Sequence, residues 1–324
     1  MYLISMLKKK ILGRLNIFIT PLSNLLERQI IINSLAASKI NRKLTRLTDL
    51  SEVEFCAFSQ WGEDGIIDWL IERLPGIPKT FIEFGVEDYR QSNTRLLLQL
   101  RNWQGLIMDG SSEHIQNIHK QEIYWRYELE AKCVFIDRDN INKLIKDAGI
   151  SGEIGLLSID IDGNDYWVWQ ALDVVQPAIV VCEYNAVLGD IYSLTVPYKP
   201  DFQRTQAHHS NLYFGASIRA LIKLGQEKGY QFVGTSSTGC NAFFVRNDLA
   251  PLIQNSLECI SAYPSSVREA RDIDGQLLFV SGAQRSKLID HLSLIDLENN
   301  SKTTLANCSN LYSSEWASRK KFSF

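Results

Sequence analysis

Three aspartates follow a single apolar run of the sequence within six positions of one another. Residues 155–168 read GLLSIDIDGNDYWV, so Asp160, Asp162 and Asp165 come directly after a stretch with the length and composition of a buried strand. A Gly-Asn pair before the last acid predicts a turn. Ligands of open α/β sheets bind at the carboxyl ends of the strands. Because a helix start needs only one acid as its cap, three acids at this edge predict a binding site, with a polar loop as the alternative.

Acids or glycine also end the earlier predicted strands. The strand TFIEFGV carries Glu83 and Gly85, Asp109 ends the next strand, and Asp137 ends the third. A glycine lets a ligand approach the backbone closely, a carboxylate on the second strand suits a ribose diol, and Asp137 is expected near an adenine edge. Each acid alone is explained as a helix cap or loop residue, but together they favour a ligand of the adenosine type. Neither GxGxxG nor GxxxxGK[ST] occurs, which counts against NAD, FAD and P-loop sites.

Polar residues precede predicted helices at two further points. Ser59 and Gln60 lie in FSQWGEDG, directly ahead of IIDWLIERL, and Asn93 lies in a Ser-Asn-Thr run after the first strand. These side chains are explained as helix caps. The alternative for Ser59 and Gln60 is that they hold a charged amino-acid moiety, because the free N–H groups at a helix start attract such groups.

The chain alternates strand-like and helix-like segments from about residue 59 onward. This pattern is typical of a mostly parallel sheet that helices cover on both faces. The predicted strands are residues 80–86, 105–110, 132–137, 154–162, 177–185, 230–236 and 241–246. A tight Ser-Thr-Gly turn joins the last two, which predicts an antiparallel hairpin at the sheet edge. The fold class is therefore α/β, with residues 51–250 as the main domain and residues 251–324, whose periodicity is weak, as a C-terminal appendage.

Charge divides the chain into a basic head and an acidic body. The 324 residues carry a formal net charge of −3, with a pI near 6.0, which counts against a nucleic-acid partner. Residues 1–50 hold nine Lys or Arg against two acids, a net charge of +7, so the remainder carries −10. Apolar residues alternate with these basic ones and predict an amphipathic helical extension. Two interpretations stay open: peripheral contact with a membrane or partner, or a helical extension that packs on the body or pairs two subunits as a homo-oligomer.

Cysteine usage predicts a cytoplasmic protein. The six cysteines (56, 133, 182, 240, 259 and 308) form no CxxC pair and no zinc-type spacing with histidine. Three of them lie in or beside apolar runs, where a free thiol behaves as a small hydrophobe. Basic residues interrupt the early apolar ones, so neither a transmembrane span nor a secretory signal is expected.

Six blocks of the chain stand out together: SQWGEDG, FIEFGVEDYRQSNT, NWQGLIMDGS, LLSIDIDGNDYWVW, VVCEYNAVLG and YFGASIRALIKLGQEKGYQFVGTSSTGCNAFFVR. In these blocks the chain resembles the FkbM-type branch of class I S-adenosylmethionine-dependent methyltransferases. The resemblance covers roughly residues 56–247, about the size of one domain. Its most specific block is IDxDGND, with Asp162 and Asp165 where the family has Glu.

The resemblance implies a Rossmann-like sheet of seven strands, mostly parallel, with an antiparallel strand at the edge. It also implies S-adenosylmethionine as the cofactor. The implied donor-binding residues are Glu83, Gly85, Asn93, Asp109 and Asp137, with Ser59 and Gln60 near the methionine end.

The resemblance further gives the acids of the last two parallel strands a role in methyl transfer. Transfer to a hydroxyl needs the methyl carbon in line with the oxygen, and a proton must leave a weakly acidic alcohol. A divalent cation such as Mg²⁺ lowers the pKa of the hydroxyl and prefers oxygen ligands. Asp162, Glu183 and Asn185 are the predicted metal ligands, and Asp165 is the predicted base. Asn185 stands where similar metal-dependent sugar O-methyltransferases often have an acid. The alternative is therefore that Asp160 contacts the donor while Glu183 only hydrogen-bonds backbone.

The loop over residues 195–215 is long for a connection, and such loops in compact domains are often functional. It contains His208 and His209. His208 is a candidate general base or substrate contact because histidine titrates near neutral pH. The alternative is an exposed loop residue without a catalytic role.

These features predict an S-adenosylmethionine-dependent O-methyltransferase that acts on a hydroxyl of a sugar or surface glycan. Asp162, Asp165 and His208 are its candidate catalytic residues. Two alternatives stay open. One is an inactive donor-binding scaffold that docks on a membrane or partner through its basic head, and the other is an NAD-linked sugar-modifying enzyme.

Overall fold

Runs of buried apolar residues form a central sheet, and the computed structural model describes residue 22 and residues 25–319. The strands are β1 (Thr80–Phe84), β2 (Gln104–Asp109), β3 (Leu129–Cys133), β4 (Gly152–Ile159), β5 (Val175–Glu183), β6 (Leu194–Thr195), β7 (Tyr230–Thr235), β8 (Asn241–Arg246), β9 (Leu294–Asp296) and β10 (Ser301–Thr303). The α-helices are α1 (residues 25–41), α2 (Glu63–Arg73), α3 (Arg95–Arg101), α4 (Ser112–His119), α5 (Glu122–Arg126), α6 (Ile141–Asp147), α7 (Asp165–Ala171), α8 (Arg204–Ala207), α9 (Ile218–Glu227), α10 (Pro251–Gln254) and α11 (Ser314–Ser318). Short 3-10 helices cover Leu50–Val53, Ala186–Leu188, Gly282–Leu288 and Leu305–Asn307.

The central sheet has seven strands in the order β3-β2-β1-β4-β5-β8-β7. All neighbours from β3 to β5 pair in parallel, while β8 pairs antiparallel with both β5 and β7. The predicted Rossmann-like sheet with an antiparallel hairpin at one edge is therefore confirmed. The strand order reverses between β1 and β4, and ligands of such sheets bind in the crevice outside the carboxyl ends of the strands at that point.

Two apolar layers cover the sheet, one on each face. β4 and β5 read as nearly continuous apolar runs because parallel strands are buried on both sides. On β1, Ile82 belongs to a cluster with Trp169 of α7, and the adjacent Phe81 belongs to a second cluster with Trp69 of α2. Complete burial of an Ile or Phe side chain stabilises the fold by about 1.5–3 kcal/mol. These layers hold the strand ends rigidly in place.

The third strand was predicted at residues 132–137, and that prediction is wrong. β3 covers Leu129–Cys133 and is an edge strand with a weak apolar pattern. The apolar residues that followed it, Val134, Phe135 and Ile136, lie beyond the strand on the wall of a cavity. Ile136 belongs to the apolar core and Val134 packs against it, so their composition reflects this packing and the cavity contact and not pairing in the sheet.

The predicted N-terminal extension is helical where the structure describes it. α1 accounts for residues 25–41, whereas residues 1–21, 23 and 24 of the predicted amphipathic segment lie outside the described residues. Within the described part of the chain, none of the helices has both the length and the apolar composition that a membrane crossing requires.

The C-terminal segment packs on the body of the molecule. β9 pairs with β10 and with β6, so a second, three-stranded sheet joins this segment to the loop after β5. Trp316 of α11 is buried in the same apolar cluster as Ile82. The boundaries predicted at residues 50 and 250 stay predictions.

Candidate functional site

A cavity of about 520 Å³ opens over the carboxyl ends of β1, β2, β4 and β5. Eight of the residues predicted as site residues line it: Gln60, Glu83, Gly85, Asn93, Asp109, Asp160, Asp162 and Glu183. The crevice expected at the reversal of strand order is thus present. The sheet brings residues that lie more than a hundred positions apart in the sequence to one edge.

The cavity wall is strongly acidic. Its carboxylates are Glu63, Glu83, Glu87, Asp109, Asp160, Asp162, Glu183 and Glu269. Arg204 is the single Arg or Lys on the wall within the described part of the chain. Acidic side chains that surround one cleft attract cationic ligands and repel anionic ones.

Gly85 lies at the sharp turn after β1, with a positive φ of 72°. A Cβ built at this position would lie 1.6 Å from the carbonyl oxygen of Asp160. Glycine is therefore required because β4 approaches here, and not only because a ligand does. This close approach joins the ends of β1 and β4 at the bottom of the cavity.

Glu83 organises the loop that follows β1. Its carboxylate accepts hydrogen bonds from the Asn93 N–H (2.8 Å) and from the hydroxyl groups of Ser92 and Thr94. The side-chain amide of Asn93 donates to Ser158 Oγ at 3.0 Å and so ties the loop to β4. Burial raises the pKa of Glu83, although these hydrogen bonds act in the opposite direction.

Asp109, at the end of β2, fixes two turns around the cavity. One carboxylate oxygen accepts from the Glu87 N–H at 2.8 Å, and the other accepts from the Ser111 N–H at 2.7 Å. The imidazole of His114 lies 3.1 Å from the second oxygen. Each carboxylate oxygen has two lone pairs, so Asp109 retains acceptor capacity toward the cavity.

Three carboxyl groups meet at the ends of β4 and β5. Asp160, Asp165 and Glu183 each offer an oxygen, and these atoms lie within 4.8 Å of one another. Burial and the charges of Asp162 and Asp165 raise the pKa of Asp160 well above its ordinary value. Burial and the charge of Asp160 do the same to the pKa of Glu183. Within the described part of the chain, the Oε2 atom of Glu183 is buried and has no hydrogen-bond partner. Burial and mutual repulsion thus oppose simultaneous ionisation of these carboxyl groups.

Asp165 is the member of this group that does not line the cavity wall. Its two carboxylate oxygens accept from the N–H groups of Ile161 (2.8 Å) and Gly163 (2.9 Å). Burial raises the pKa of Asp165 to about 6 despite these bonds. The side chain thus shapes the turn after β4, in which Asp162 has a positive φ of 54°.

Arg204 of α8 reaches across the cavity mouth. Its Nη1 lies 2.5 Å from Asp162 Oδ1, and its Nη2 lies 3.2 Å from Glu269 Oε2. The Nε–H donates to the Asn211 carbonyl at 2.6 Å, and the guanidinium stacks 3.8 Å from the centre of the Phe214 ring. Burial acts to lower the pKa of Arg204, but the charges of Glu183, Asp162 and Glu269 outweigh it and raise the pKa. One arginine therefore connects the turn after β4 to the C-terminal segment.

Four other predicted site residues do not line the cavity. Ser59 accepts from the Asp64 N–H within the turn before α2. Asp137 accepts from the N–H groups of residues 139 and 140 ahead of α6. Asn185 is buried, and its amide donates to the carbonyls of residues 212 and 214. His208 contacts two other histidines, and burial and those neighbours lower its pKa. Their predicted roles in catalysis and binding stay predictions.

Sequence reasoning missed several residues of the wall. Arg204 lies in the long loop that was predicted to be functional, but its own role had no signal in the sequence. Glu63 is buried at the start of α2, where it accepts from the N–H groups of Trp61 and Gly62. Glu269 comes from the irregular C-terminal segment, where nothing local distinguished it from other surface acids.

No family model and no curated protein matches the chain. Among solved structures, the N-terminal domain of EvdMO1 with SAH bound is similar to this chain, with 12% identity over 58% of this chain and 82% of that one, and a TM-score of 0.38. An S-adenosylmethionine-dependent methyltransferase from Clostridium acetobutylicum ATCC 824 is also similar. The two share 11% identity over 57% of this chain and 90% of that one, with a TM-score of 0.36. The CurJ carbon methyltransferase shares 11% identity over 60% of this chain and 56% of that one, with a TM-score of 0.37. At values this low, the activity must be argued from the chain's own residues, and the FkbM-type assignment stays a prediction.

Proposed function

We propose that the chain is an S-adenosylmethionine-dependent O-methyltransferase that acts on a hydroxyl of a sugar or glycan. The charge of the cavity carries this proposal, because, among residues 22 and 25–319, eight carboxylates and one arginine line it. S-adenosylmethionine presents a sulfonium and an ammonium group, and both are attracted to an acidic cleft. Cofactors that carry a pyrophosphate are repelled by the same charges, which disfavours the NAD-linked alternative.

The fold supports a specific placement of this donor. The adenosine would lie over β1 and β2, with a ribose hydroxyl on the free acceptor position of Asp109 Oδ2. Gln60 and Asn93 line the neighbouring wall and offer amide groups to the methionine part. The sulfonium would then face Asp160 and Glu183 at the reversal of strand order. Phe202 and Val267 provide the apolar contacts beside that point, where a sugar ring would pack.

The carboxyl groups beyond β4 and β5 suit removal of a proton from an alcohol. A general base is most efficient when its pKa lies near the working pH, and burial raises the pKa of both Asp160 and Glu183 from their ordinary acidic values. Either group would take the hydroxyl proton as the methyl group is transferred. Holding the acceptor oxygen in line with the methyl carbon would also accelerate the transfer.

Mg²⁺ would be held by Asp160, Asp165 and Glu183 and not by the ligand set predicted from the sequence. The oxygens of these three residues lie within 4.8 Å of one another, and the buried Oε2 of Glu183 lacks a partner in the described part of the chain. Each Asp165 oxygen accepts one backbone N–H and keeps a second lone pair for a cation. Asn185, in contrast, is directed to backbone carbonyls, and Asp162 is paired with Arg204. A bound cation would lower the pKa of the acceptor hydroxyl.

Calorimetric titration tests the proposal. We expect one-to-one binding of S-adenosylmethionine and no heat with NAD⁺. Asp109→Ala should weaken binding by about tenfold or more, because a hydrogen bond to a charged group contributes about 1.5–3 kcal/mol. Asp139→Ala, which alters an exposed acid that does not line the cavity, should leave binding unchanged. Binding of NAD⁺ in place of S-adenosylmethionine would reverse the assignment.

Turnover separates the enzyme from an inactive donor-binding scaffold. S-adenosylhomocysteine released in the presence of neutral glycans should be matched by a methyl ether that mass spectrometry detects on the sugar. Glu183→Gln should abolish this release while donor binding persists. Donor binding without release across all glycans tested would favour the scaffold.

A further inference from the structure

The helix α1 presents its apolar side chains outward. In a helix of a water-soluble domain, the apolar stripe normally faces the core and the polar face meets water. In α1 the small and polar residues Ser34, Ser38 and Asn41 are buried against the body. The exposed leucines and isoleucines lie on the opposite side, while Ile30 and Ile31 are half-buried on the side of Ser34 and Ser38. Most of the exposed face of α1 that carries large side chains is therefore apolar, the reverse of the usual arrangement.

Polar contacts fix this orientation. Glu27 pairs with Arg95 of α3 at 2.8 Å and also accepts from the Gln99 amide at 2.6 Å. Near the other end of α1, the Asn41 amide donates to the Val53 carbonyl at 2.7 Å. The Arg95 side chain in this pairing is largely buried. The helix is consequently held by its polar face, and a rotation that turned the apolar face inward would break these bonds.

The outward surface is an apolar stripe at helical spacing, which we call the α1 stripe. It consists of Leu22, Leu25, Leu26, Ile32, Ala36 and Ile40. The leucines and isoleucines among them are between 58% and 63% exposed. Exposed Gln29 and Asn33, which hydrogen-bond to each other at 2.8 Å, divide the stripe into two apolar patches. Exposed apolar patches of this kind mark a site of interaction with a partner or a membrane.

The basic residues beside the α1 stripe indicate what binds it. Arg28, Lys39, Lys43 and Arg46 are exposed on or just after the helix, and residues 1–50 carry a net charge of +7. A second copy of the chain docked through the same stripe would bring two such basic segments together, at an electrostatic cost. An anionic lipid surface instead attracts the basic residues while its acyl region takes up the leucines and isoleucines.

We propose that α1 binds the surface of an anionic lipid membrane with the α1 stripe and lies in the plane of the interface. The long Lys and Arg side chains beside the stripe reach the lipid headgroups. The polar contacts to α3 then hold the α/β domain at a fixed orientation on the water side. This proposal is independent of the proposed activity, because it uses none of the cavity residues.

Vesicle sedimentation of the full chain tests the proposal. The probes are vesicles with one part phosphatidylglycerol to about three parts phosphatidylcholine, and vesicles of phosphatidylcholine alone. We expect binding to the first kind only, weakening as salt is raised from about 0.1 M to 0.5 M because screening shortens the reach of the charges. Leu26→Asp/Ile40→Asp should lower the partition coefficient by about tenfold or more.

A matched control separates the α1 stripe from exposed apolar residues in general. Leu252→Asp/Ile273→Asp makes the same chemical change at residues that are 50% and 77% exposed outside α1, and it should bind vesicles as the parent does. Leu26→Gln/Ile40→Gln provides a second stripe variant, and the melting temperature of each variant shows that it is folded. Both stripe variants should lose binding.

Three results would overturn the proposal. One is a parent chain that does not sediment with the anionic vesicles at low salt. Another is a pair of folded stripe variants that bind as well as the parent. The third is a dimer, seen by sedimentation velocity without lipid, that the stripe variants dissociate, since a second copy would then occupy the stripe.

Discussion

Replacement of Arg204 by alanine should lower the free energy of unfolding by more than any one of its contacts contributes. Three kinds of interaction are lost together. The hydrogen bond to the Asn211 carbonyl, at 2.6 Å, involves a charged donor and contributes about 1.5 kcal/mol. Asp162 and Glu269 are 57% and 47% exposed, so solvent screening limits each ion pair to about 0.5 kcal/mol. Stacking on Phe214 adds about 0.5 kcal/mol. We expect Arg204→Ala to lower the free energy of unfolding by about 3 kcal/mol.

Arg138 offers a matched control for this measurement. Its guanidinium stacks on Tyr198 at 3.8 Å, the same distance as Arg204 on Phe214, but its side chain is 43% exposed. Urea unfolding of Arg138→Ala should show a loss below about 1 kcal/mol. An Arg204→Ala loss no larger than that of the control would refute the account of Arg204 as a connector. The loss in the free energy of unfolding for Arg204→Lys should fall between those of Arg204→Ala and Arg138→Ala. An ammonium group cannot reproduce the planar fork that bridges two carboxylates.

Two further predictions concern backbone and proton binding. Gly85→Ala should lower the free energy of unfolding by more than about 3 kcal/mol, because its Cβ would meet the Asp160 carbonyl at 1.6 Å. Gly76→Ala, which has a similar positive φ but nothing within 4 Å of the new Cβ, should cost about 1 kcal/mol. Thermal melts compare the two. Burial raises the pKa of Asp64 and Asp165 to about 6 from 3.8. The folded state therefore binds protons more tightly than the unfolded chain, so the contribution of these groups to stability is complete below about pH 4 and is lost as pH rises to about 6. Urea midpoints should fall over that range, and Asp165→Asn should flatten the profile. A midpoint that rises across this range in both the parent and the variant would contradict these shifts.

The sheet could be predicted from the sequence because its strands are long apolar runs that end in polar turns. β4 and β5 are buried on both faces, so their composition alone marks them. β3 was misplaced because it is an edge strand, and the stronger apolar signal belonged to residues 134–136, which pack on the apolar core or line the cavity beyond the strand. Local patterns thus identify apolar contacts, but not whether pairing in a sheet accompanies them.

The site could be predicted only in part, for a similar reason. Asp109, Asp160 and Glu183 reach the cavity because strand ends in a parallel sheet share one edge. Asn185 also follows a strand, but its side chain turns to the backbone of residues 212 and 214, a contact that no local pattern reveals. Glu269 approaches the cavity through the packing of the C-terminal segment. Such long-range contacts depend on the assembled fold.

The crystal structure of the complex with S-adenosylhomocysteine tests the central claim most directly. The account predicts the ligand over the ends of β1, β2 and β4, with a ribose hydroxyl on Asp109 and its sulfur facing Asp160 and Glu183. A ligand bound elsewhere on the chain, with the acidic cavity left open, would contradict it.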